Sequence, residues 1–375
     1  MSGAPGGFSI VVPAHRRVGL AAELLRSLDG ARAAYDGPSE VILVDSSDEP
    51  AAARLAELCR THDARYLRGE NHVGRKRNLG LAAAVYDTVF FIDSDCRADP
   101  RALAEHQETY AATPDAGGVL GLTEWDGPAG RVWRVLDLAS SMTAAFRFAA
   151  WFKEVPWGPC TNLSIRRDAL LAVGGFDEQF PLPVYGEDVD LGVRLTKAGY
   201  RLVTNPRAVV HHTRAGLNTF PAALRKSLKT GRADYHLGHR HPERLVAEYP
   251  GPLAVALLLA VLGTVVWLVR QMTLGPIVPF AYLFSYLFLL ATLTAIQQRL
   301  GWSKVLPFVG VALLEMAFEC GRLFEVARHG GARRLWTKFV YVDVQLLAER
   351  DRRIVQSWSI FISMALMLLL LQVRL

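Results

Sequence analysis

Four short runs of strand-forming composition, separated by stretches of helix-forming composition, most limit what residues 8–125 can fold into. This alternation is typical of an α/β domain with a largely parallel sheet. It predicts strands at 9–12, 40–44, 64–67 and 88–92, and helices at 19–34, 51–62 and 75–84. Polar residues follow the first, second and fourth strands, at the edge where such sheets bind ligands. The pattern therefore predicts a ligand crevice at the carboxyl ends of these strands.

The apolar residues of this 375-residue chain are unevenly distributed, because they concentrate after Pro252. Segments 253–269, 275–296 and 354–373 are uncharged, and each is near the length of about 17–25 residues that spans a bilayer. A buried helix of a soluble core is the competing interpretation of each, but their number favours an α-helical transmembrane region. Segment 305–324 contains Glu315 and Glu319, so we interpret it as an interfacial or re-entrant helix, with a fourth span as the alternative.

Basic residues cluster beside these apolar segments. Segment 221–250 interleaves them with leucine and tyrosine, which indicates either an amphipathic helix on anionic lipid or a solvated basic linker. The loop before 354 is also strongly basic and favours a cytosolic location under the positive-inside rule. We therefore expect a cytosolic domain at 1–220, an interfacial segment at 221–250 and a multi-pass membrane domain at 251–375 in the inner (plasma) membrane. The net charge is +6, and because the basic residues lie beside the apolar segments, we expect a bilayer and not nucleic acid as the partner.

The triplet Asp93, Ser94 and Asp95 follows directly after the apolar run 89–92. Two carboxylates at the end of a buried strand can hold a hard divalent cation, Mg²⁺ or Mn²⁺, where a nucleotide diphosphate needs its charge neutralised. A turn or a helix cap is the other interpretation of such a triplet.

A second acidic cluster, at 187–190, precedes a helical pattern. Acids in the first turn of a helix are also ordinary caps. We select Asp188 as the candidate general base for an acceptor hydroxyl. Further along, His211 and His212 end an apolar run, where either a metal ligand or a structural histidine is possible.

Taken in order, these segments resemble the family-2 glycosyltransferases of the GT-A fold, a Rossmann-like α/β domain. The matching pieces cover about residues 8–215 and are the strand at 10–13, Val44 with Asp45, GRKRNLG at 74–80, FIDSD at 91–95, NLSIRRDALLAVGGFDE at 162–178, GEDVDLGVRLTKAGYRL at 186–202 and PRAVVHH at 206–212.

The resemblance implies a role for particular positions of this chain. The residues that it assigns to the nucleotide-sugar are Pro13, Ala14, Asp45, Arg77, Asn78, Asp93 and Ser94. It implies that Asp95 and His212 bind the metal and that Asp188 is the base. Weaker candidates for the acceptor or the diphosphate are Asn162, Glu187, Lys229 and Arg232.

Two departures from the family pattern bear on the substrates. The usual VDDGSxD reads VDSSD at 44–48, without the second acid, which leaves the donor nucleotide open, although a UDP-sugar is the commonest choice in the family. A QxxRW motif does not follow the second acidic cluster, which favours a single transfer over processive synthesis.

From these features we predict a metal-dependent, inverting transfer of one sugar from a nucleotide-sugar to a lipid-linked or membrane-associated acceptor, in glycolipid, cell-envelope or exopolysaccharide synthesis. Alternatives are a polyprenyl-phosphate sugar synthase and a non-catalytic nucleotide-sensing subunit of an export system.

Overall fold

The computed structural model describes residues 6–181, 185–248, 250–270, 278–297, 306–342, 357–359, 361–362 and 365. The chain divides into two compact units. The amino-terminal unit comprises Met1–Ala129 and Ser141–Gly216, and the carboxyl-terminal unit comprises Gly130–Ser140 and Leu217–Leu375.

The strands are β1 (Phe8–Ala14), β2 (Ser39–Asp45), β3 (Ala64–Arg68), β4 (Thr88–Phe91), β5 (Cys96–Ala98), β6 (Ala116–Asp126), β7 (Leu163–Arg166), β8 (Arg201–Thr213), β9 (Leu245–Ala247) and β10 (Thr337–Phe339). The α-helices are α1 (Val18–Ala33), α2 (Ala51–Thr61), α3 (Val73–Ala83), α4 (Ala102–Ala112), α5 (Trp133–Leu136), α6 (Ser140–Thr143), α7 (Phe148–Trp151), α8 (Arg167–Ala172), α9 (Glu187–Lys197), α10 (Phe220–Arg240), α11 (Pro252–Arg270), α12 (Val278–Gln297) and α13 (Leu306–His329). Short 3₁₀ helices cover Ala144–Arg147, Ala215–Leu217, Pro242–Arg244 and Ala332–Trp336.

The amino-terminal unit is built on an eight-stranded sheet in the order β3-β2-β1-β4-β7-β6-β8-β5. Strands β1 to β4 pair in parallel, which confirms the four predicted strands and the α/β fold class. Beyond β4 the sheet is mixed, since β7 runs antiparallel to both of its neighbours. The parallel half places the ends of β1, β2 and β4 at one edge of the sheet.

The burial of β1 explains why its sequence is almost entirely apolar. All of its residues are buried, because strands in the middle of a parallel sheet are covered on both faces. On one face α3 lies so close that a methyl group at Gly80 would overlap the Val11 side chain. Glycine at 80 therefore lets α3 approach the sheet beneath the ligand edge.

In the carboxyl-terminal unit, α10 packs along α13. The contact is close enough that a side chain at Gly231 would overlap the Phe318 carbonyl, and one at Gly321 would overlap the Leu228 carbonyl. Most of the predicted interfacial segment 221–250 is thus a helix packed within this unit.

The prediction of a transmembrane region is wrong. In the described ranges, no helix combines the length and the apolarity that crossing a membrane requires. The prediction of a multi-pass inner-membrane protein is overturned by the same finding. Most of the predicted span 354–373 lies outside the described residues.

The physical reason is that apolar composition does not reveal what a helix buries its side chains against. The predicted spans 253–269 and 275–296 correspond largely to α11 and α12, whose residues form a shared buried cluster that includes Leu259 and Tyr282. The ambiguous segment 305–324 belongs to α13, where the Glu319 carboxylate accepts hydrogen bonds from the first backbone amides of α11.

Candidate active site

The acidic triplet lies at the carboxyl edge of the sheet, as its position after an apolar run predicted. β4 and Ile92 are completely buried, and Asp93, Ser94 and Asp95 follow them. Pro13 and Ala14, both buried, end the neighbouring strand β1. Because parallel strands end at the same edge, the backbone after β1 and the acids after β4 border one crevice.

His212 lies next to Asp95 because β5 and β8 pair in antiparallel register, with Cys96 opposite His212. Nε2 of His212 is 3.5 Å from Oδ1 of Asp95. Nδ1 is 2.9 Å from the carbonyl oxygen of Thr213, which can only accept, so Nδ1 donates this hydrogen bond and Nε2 is the nitrogen that faces Asp95. The Trp125 ring packs against the imidazole at a centroid distance of 4.8 Å.

These two side chains have the chemistry of a cation site. One ligand atom each from Asp95, Cys96 and His212 lies within 4.8 Å of the others. Burial raises the pKa of the Cys96 thiol well above its usual range, so this group stays protonated and is a poor ligand. Asp95 and His212 are therefore the residues that fit a divalent cation.

Arg77 joins the two acidic motifs. Its guanidinium donates to Oε1 of Glu187 at 2.7 Å and to Oδ1 of Asp93 at 3.0 Å, and it lies over the Phe176 ring. The side chain is only 4% exposed. Burial raises the pKa of Asp93, and the Arg77 cation opposes that rise. The arrangement brings the first turn of α9 to the carboxyl end of β4.

Asp188 is half-buried in that first turn. Burial, followed by the neighbouring Glu187 carboxylate, raises the pKa of Asp188 to about 7. A proton acceptor with a pKa near the operating pH is suited to general-base work. The other acid, Asp190, has the structural role that helix starts favour, since it pairs with Arg194 at 2.8 Å. Asp190 therefore has a structural partner within α9, and Asp188 remains the candidate base.

The sequence alone did not predict a role for two basic side chains at this edge of the sheet. Arg17, in the loop after β1, donates to the Asp95 carboxylate and is largely exposed. Lys76 is buried in α3 and donates to the Ala14 carbonyl at 2.9 Å and to Ser46 Oγ at 3.1 Å. The available signals were the basic run at 15–17, directly after a strand end, and the lysine inside GRKRNLG.

Asp45 is fully buried at the end of β2, and its carboxylate is occupied by the protein itself. It accepts hydrogen bonds from Ser47, from the Tyr66 hydroxyl at 2.8 Å and from Arg68 at 2.8 Å. Asp45 therefore fixes the conformation of the loop after β2. Any influence of Asp45 on nucleotide binding would be indirect, through the position of this loop.

Two amides that were predicted to bind ligands make hydrogen bonds within the protein. Asn78 donates to the Phe176 carbonyl and accepts from the Phe176 amide, so it fixes the loop that follows α8. Asn162 is completely buried, where it donates to the carbonyls of Leu122 and Ala208. Neither carboxamide is directed to the crevice by these contacts.

The remaining weak candidates belong to the carboxyl-terminal unit. Lys229 is half-buried on α10. Arg232, on the same helix, pairs with the buried Glu325 and lies over the Phe324 ring. These contacts give Arg232 a role inside its own unit.

The sheet, the Asp95–His212 pair and the raised pKa of Asp188 together define an α/β domain with a candidate cation site and a half-buried acid. Residues 9–174 match the family model described as Glycosyl transferase family 2. This match agrees with the order of the motifs in the sequence.

Two relatives of this chain are named as glycosyltransferases. The pre-mycofactocin glycosyltransferase of Mycobacterium tuberculosis is 36% identical over 174 residues, which are 45% of this chain and 35% of that protein. The N-acetylglucosaminyl-diphospho-decaprenol L-rhamnosyltransferase of the same organism is 43% identical over 91 residues, 23% of this chain and 29% of that protein. The chain thus spans about a third of the length of these relatives. A solved mannosyltransferase from Pyrobaculum calidifontis, in complex with GDP-Man and Mn²⁺, covers 63% of this chain and 64% of its own at 20% identity, with a TM-score of 0.46.

Proposed function

We propose that this chain transfers one sugar residue from a nucleotide-diphosphate sugar to a lipid-linked acceptor, with inversion at the anomeric carbon. The observation that carries the proposal is the bridge from Arg77 to Asp93 and Glu187. This bridge holds the acids after β4 beside the acids that begin α9. A donor diphosphate and an acceptor hydroxyl can therefore occupy adjoining positions.

Asp188 is the proton acceptor in this proposal. It takes the proton of the acceptor hydroxyl while that oxygen attacks the anomeric carbon, and the bond from this carbon to the diphosphate breaks. One displacement inverts the configuration. Asp93 and Glu187 are engaged by Arg77 and Asp95 faces His212, which supports the choice of Asp188 among the acids of the two motifs.

Asp95 and His212 would hold a divalent cation, Mg²⁺ or Mn²⁺. Such a cation, when bound, neutralises the charge that develops on the leaving diphosphate. Two observations support the fit: Nε2 of His212 faces the Asp95 carboxylate, and Asp95 already attracts the positive charge of Arg17. Arg17 is placed to pair with a phosphate oxygen once Asp95 has another partner.

Lys76 has a positioning role on the donor side. Its ammonium group ties the end of β1 to the loop after β2 through Ala14 and Ser46. These segments carry the backbone that the family resemblance assigns to the nucleotide. Burial lowers the pKa of Lys76 to about 8, so it remains mostly charged at neutral pH.

The acceptor class rests on the relatives. One is named for a rhamnosyl transfer to a sugar carried on decaprenyl diphosphate, and this supports a lipid-linked hydroxyl. The other is named for pre-mycofactocin. A test must therefore distinguish a lipid-linked sugar from other acceptors.

The test is a screen of UDP-, GDP- and dTDP-sugars against lipid-linked sugars, polyprenyl phosphates and pre-mycofactocin, with Mg²⁺ or Mn²⁺ and mass spectrometry of the products. We expect one added sugar on a lipid-linked hydroxyl. In Asp188→Asn, transfer should fall by about 10²–10⁴-fold, the range of general-base catalysis. Donor binding should persist in this variant.

The matched control is Asp168→Asn. Asp168 is also a first-turn acid that accepts a hydrogen bond from the next backbone amide, but it is exposed at the start of α8. Full activity is expected of this variant. Equal transfer by the Asp188→Asn and wild-type chains would refute the assigned base, and if it occurred on a polyprenyl phosphate it would favour the phosphate-oxygen acceptor.

A further inference from the structure

A second group of potential metal ligands lies in the carboxyl-terminal unit, where α10 and α13 pack together. His236 lies on α10, and Glu325 and His329 lie on α13. Residues four apart on a helix share one face, so the two α13 side chains point in a common direction. One ligand atom from each of the three side chains lies within 4.8 Å of the others.

The distances inside this cluster match the edges of a metal coordination sphere. Nε2 of His236 lies 3.3 Å from Oε2 of Glu325, and Nε2 of His329 lies 3.2 Å from the same oxygen. Ligand atoms that each lie about 2.0–2.1 Å from a tetrahedral Zn²⁺ are about 3.3 Å apart. Charge-assisted hydrogen bonds between a nitrogen and a carboxylate are shorter, about 2.7–2.9 Å. The spacing therefore leaves room for one metal ion shared by the three ligand atoms.

Arg232 orients the carboxylate. Its Nε donates to Oε1 of Glu325 at 2.5 Å, which leaves Oε2 facing the two imidazoles. The Glu325 side chain is only 1% exposed, so the carboxylate is fixed in this direction. Hydrogen bonds that orient a ligating carboxylate are a usual feature of metal sites.

The helix packing sets the distance between the ligands before a metal arrives. Gly231 and Gly321 lie one to two turns before the cluster, and both allow a backbone contact that a side chain would prevent. The Tyr235 ring stacks on the His329 imidazole at a centroid distance of 6.0 Å. The three ligands are therefore held by a rigid part of this unit.

We propose that His236, Glu325 and His329 bind one Zn²⁺ that links α10 to α13. Two imidazoles and one carboxylate are the ligand set of zinc sites that keep a fourth position open. The His329 side chain is 46% exposed, so solvent can reach that position.

The experiment uses the full chain, stripped with a chelator and then titrated with Zn²⁺. Metal content is measured by elemental mass spectrometry, and Co²⁺ serves as a spectroscopic probe of the ligands. One Zn²⁺ per chain should remain in Asp95→Asn and be lost in His329→Ala. Zn²⁺ should raise the Tm of wild type and leave that of His329→Ala unchanged.

The matched control is His239→Ala, which removes an exposed histidine from the same helix α10. It should keep both the metal and the shift in Tm. The half-exposed position of His329 makes its variant safe for folding, which circular dichroism verifies. The proposal is overturned if His329→Ala binds Zn²⁺ as tightly as His239→Ala, or if Asp95→Asn loses all zinc.

Discussion

The guanidinium of Arg77 lies 2.7 Å from Oε1 of Glu187, although the two residues are 110 positions apart in the chain. Both are buried. The other arm of the guanidinium reaches Asp93. One cation therefore compensates two acids that belong to separate motifs, and it sets the distance between them.

Replacement of Arg77 by methionine should strongly destabilise the chain. The variant leaves the Glu187 and Asp93 carboxylates without their cation, and breaking a buried pair in this way costs about 3–5 kcal/mol. Urea unfolding followed by circular dichroism measures the loss. Arg77→Lys should be intermediate, since an ammonium group cannot reproduce the two-armed geometry.

The control for Arg77 is Arg75→Met on the same helix. Arg75 is 43% exposed and pairs with Glu70 at the surface, and such pairs contribute about 0–1 kcal/mol. Equal unfolding free energies for the Arg75 and Arg77 variants would contradict the proposed bridge.

Transfer activity should depend on the ionisation of Asp188. Only the deprotonated carboxylate accepts a proton, and its pKa is raised to about 7. We therefore expect kcat/KM to fall as the pH decreases through about 7 and to level off above it. A pH profile at saturating metal checks this, and a flat profile between about pH 5 and 8 would argue against Asp188 as the base.

The same pKa shift predicts a change in stability of the opposite sign. A carboxyl whose folded pKa is raised stabilises the folded chain in its protonated form, and this contribution is lost as the pH rises from the usual pKa of 3.8 to the raised pKa of about 7. The Tm of wild type should therefore drop, relative to Asp188→Asn, as the pH increases across this interval. The Asp168→Asn variant should follow the wild-type curve.

Removal of the His212 imidazole should weaken cation binding. His212→Asn is expected to lower the affinity for Mn²⁺, measured by electron paramagnetic resonance with a nucleoside diphosphate present, at least about tenfold, because changes around metal ligands cost about 10–100-fold. His211→Asn is the control, since its imidazole faces Glu124 on the other side of β8. Equal affinities of the two variants would exclude His212 as a ligand.

Arg17→Gln should raise the KM for the nucleotide-sugar. A charge-assisted hydrogen bond contributes about 1.5–3 kcal/mol, so a loss of donor affinity of at least about tenfold is expected. The neighbouring Arg16 pairs with Asp48 at the surface, and Arg16→Gln should leave KM unchanged. A matching KM for the two variants would remove Arg17 from the donor site.

Local patterns were sufficient for the elements around the crevice. Strands β1 to β4 and helices α1 to α3 agree with the predicted ranges, because strand and helix patterns depend on residues close together in the chain. The position of Asp95 after β4 and of Asp188 at the start of α9 also followed from residues close by in the chain.

The function of polar side chains depended on distant partners. Asn78 stands beside Arg77 in one motif, yet it anchors the Phe176 loop while Arg77 bridges two acids. Arg17 carried no distinguishing pattern beyond its place after a strand. Such roles follow from hydrogen bonds across the fold, which neighbouring residues in the sequence do not specify.

The prediction for the last third failed for a related reason. A long apolar run indicates that a helix is shielded from water, but other segments decide whether lipid or protein covers it. Leu259 of α11 and Tyr282 of α12 lie in one buried cluster within the protein.

The sequence by itself therefore determined the α/β pattern and the two acidic motifs, because these depend on the period of strands and helices. Only the tertiary structure decided that Arg77 joins those motifs, that His212 faces Asp95 and that His236 meets Glu325. Sheet order and helix packing bring these residues together across long stretches of chain. The local periodicity of the sequence does not specify such long-range contacts.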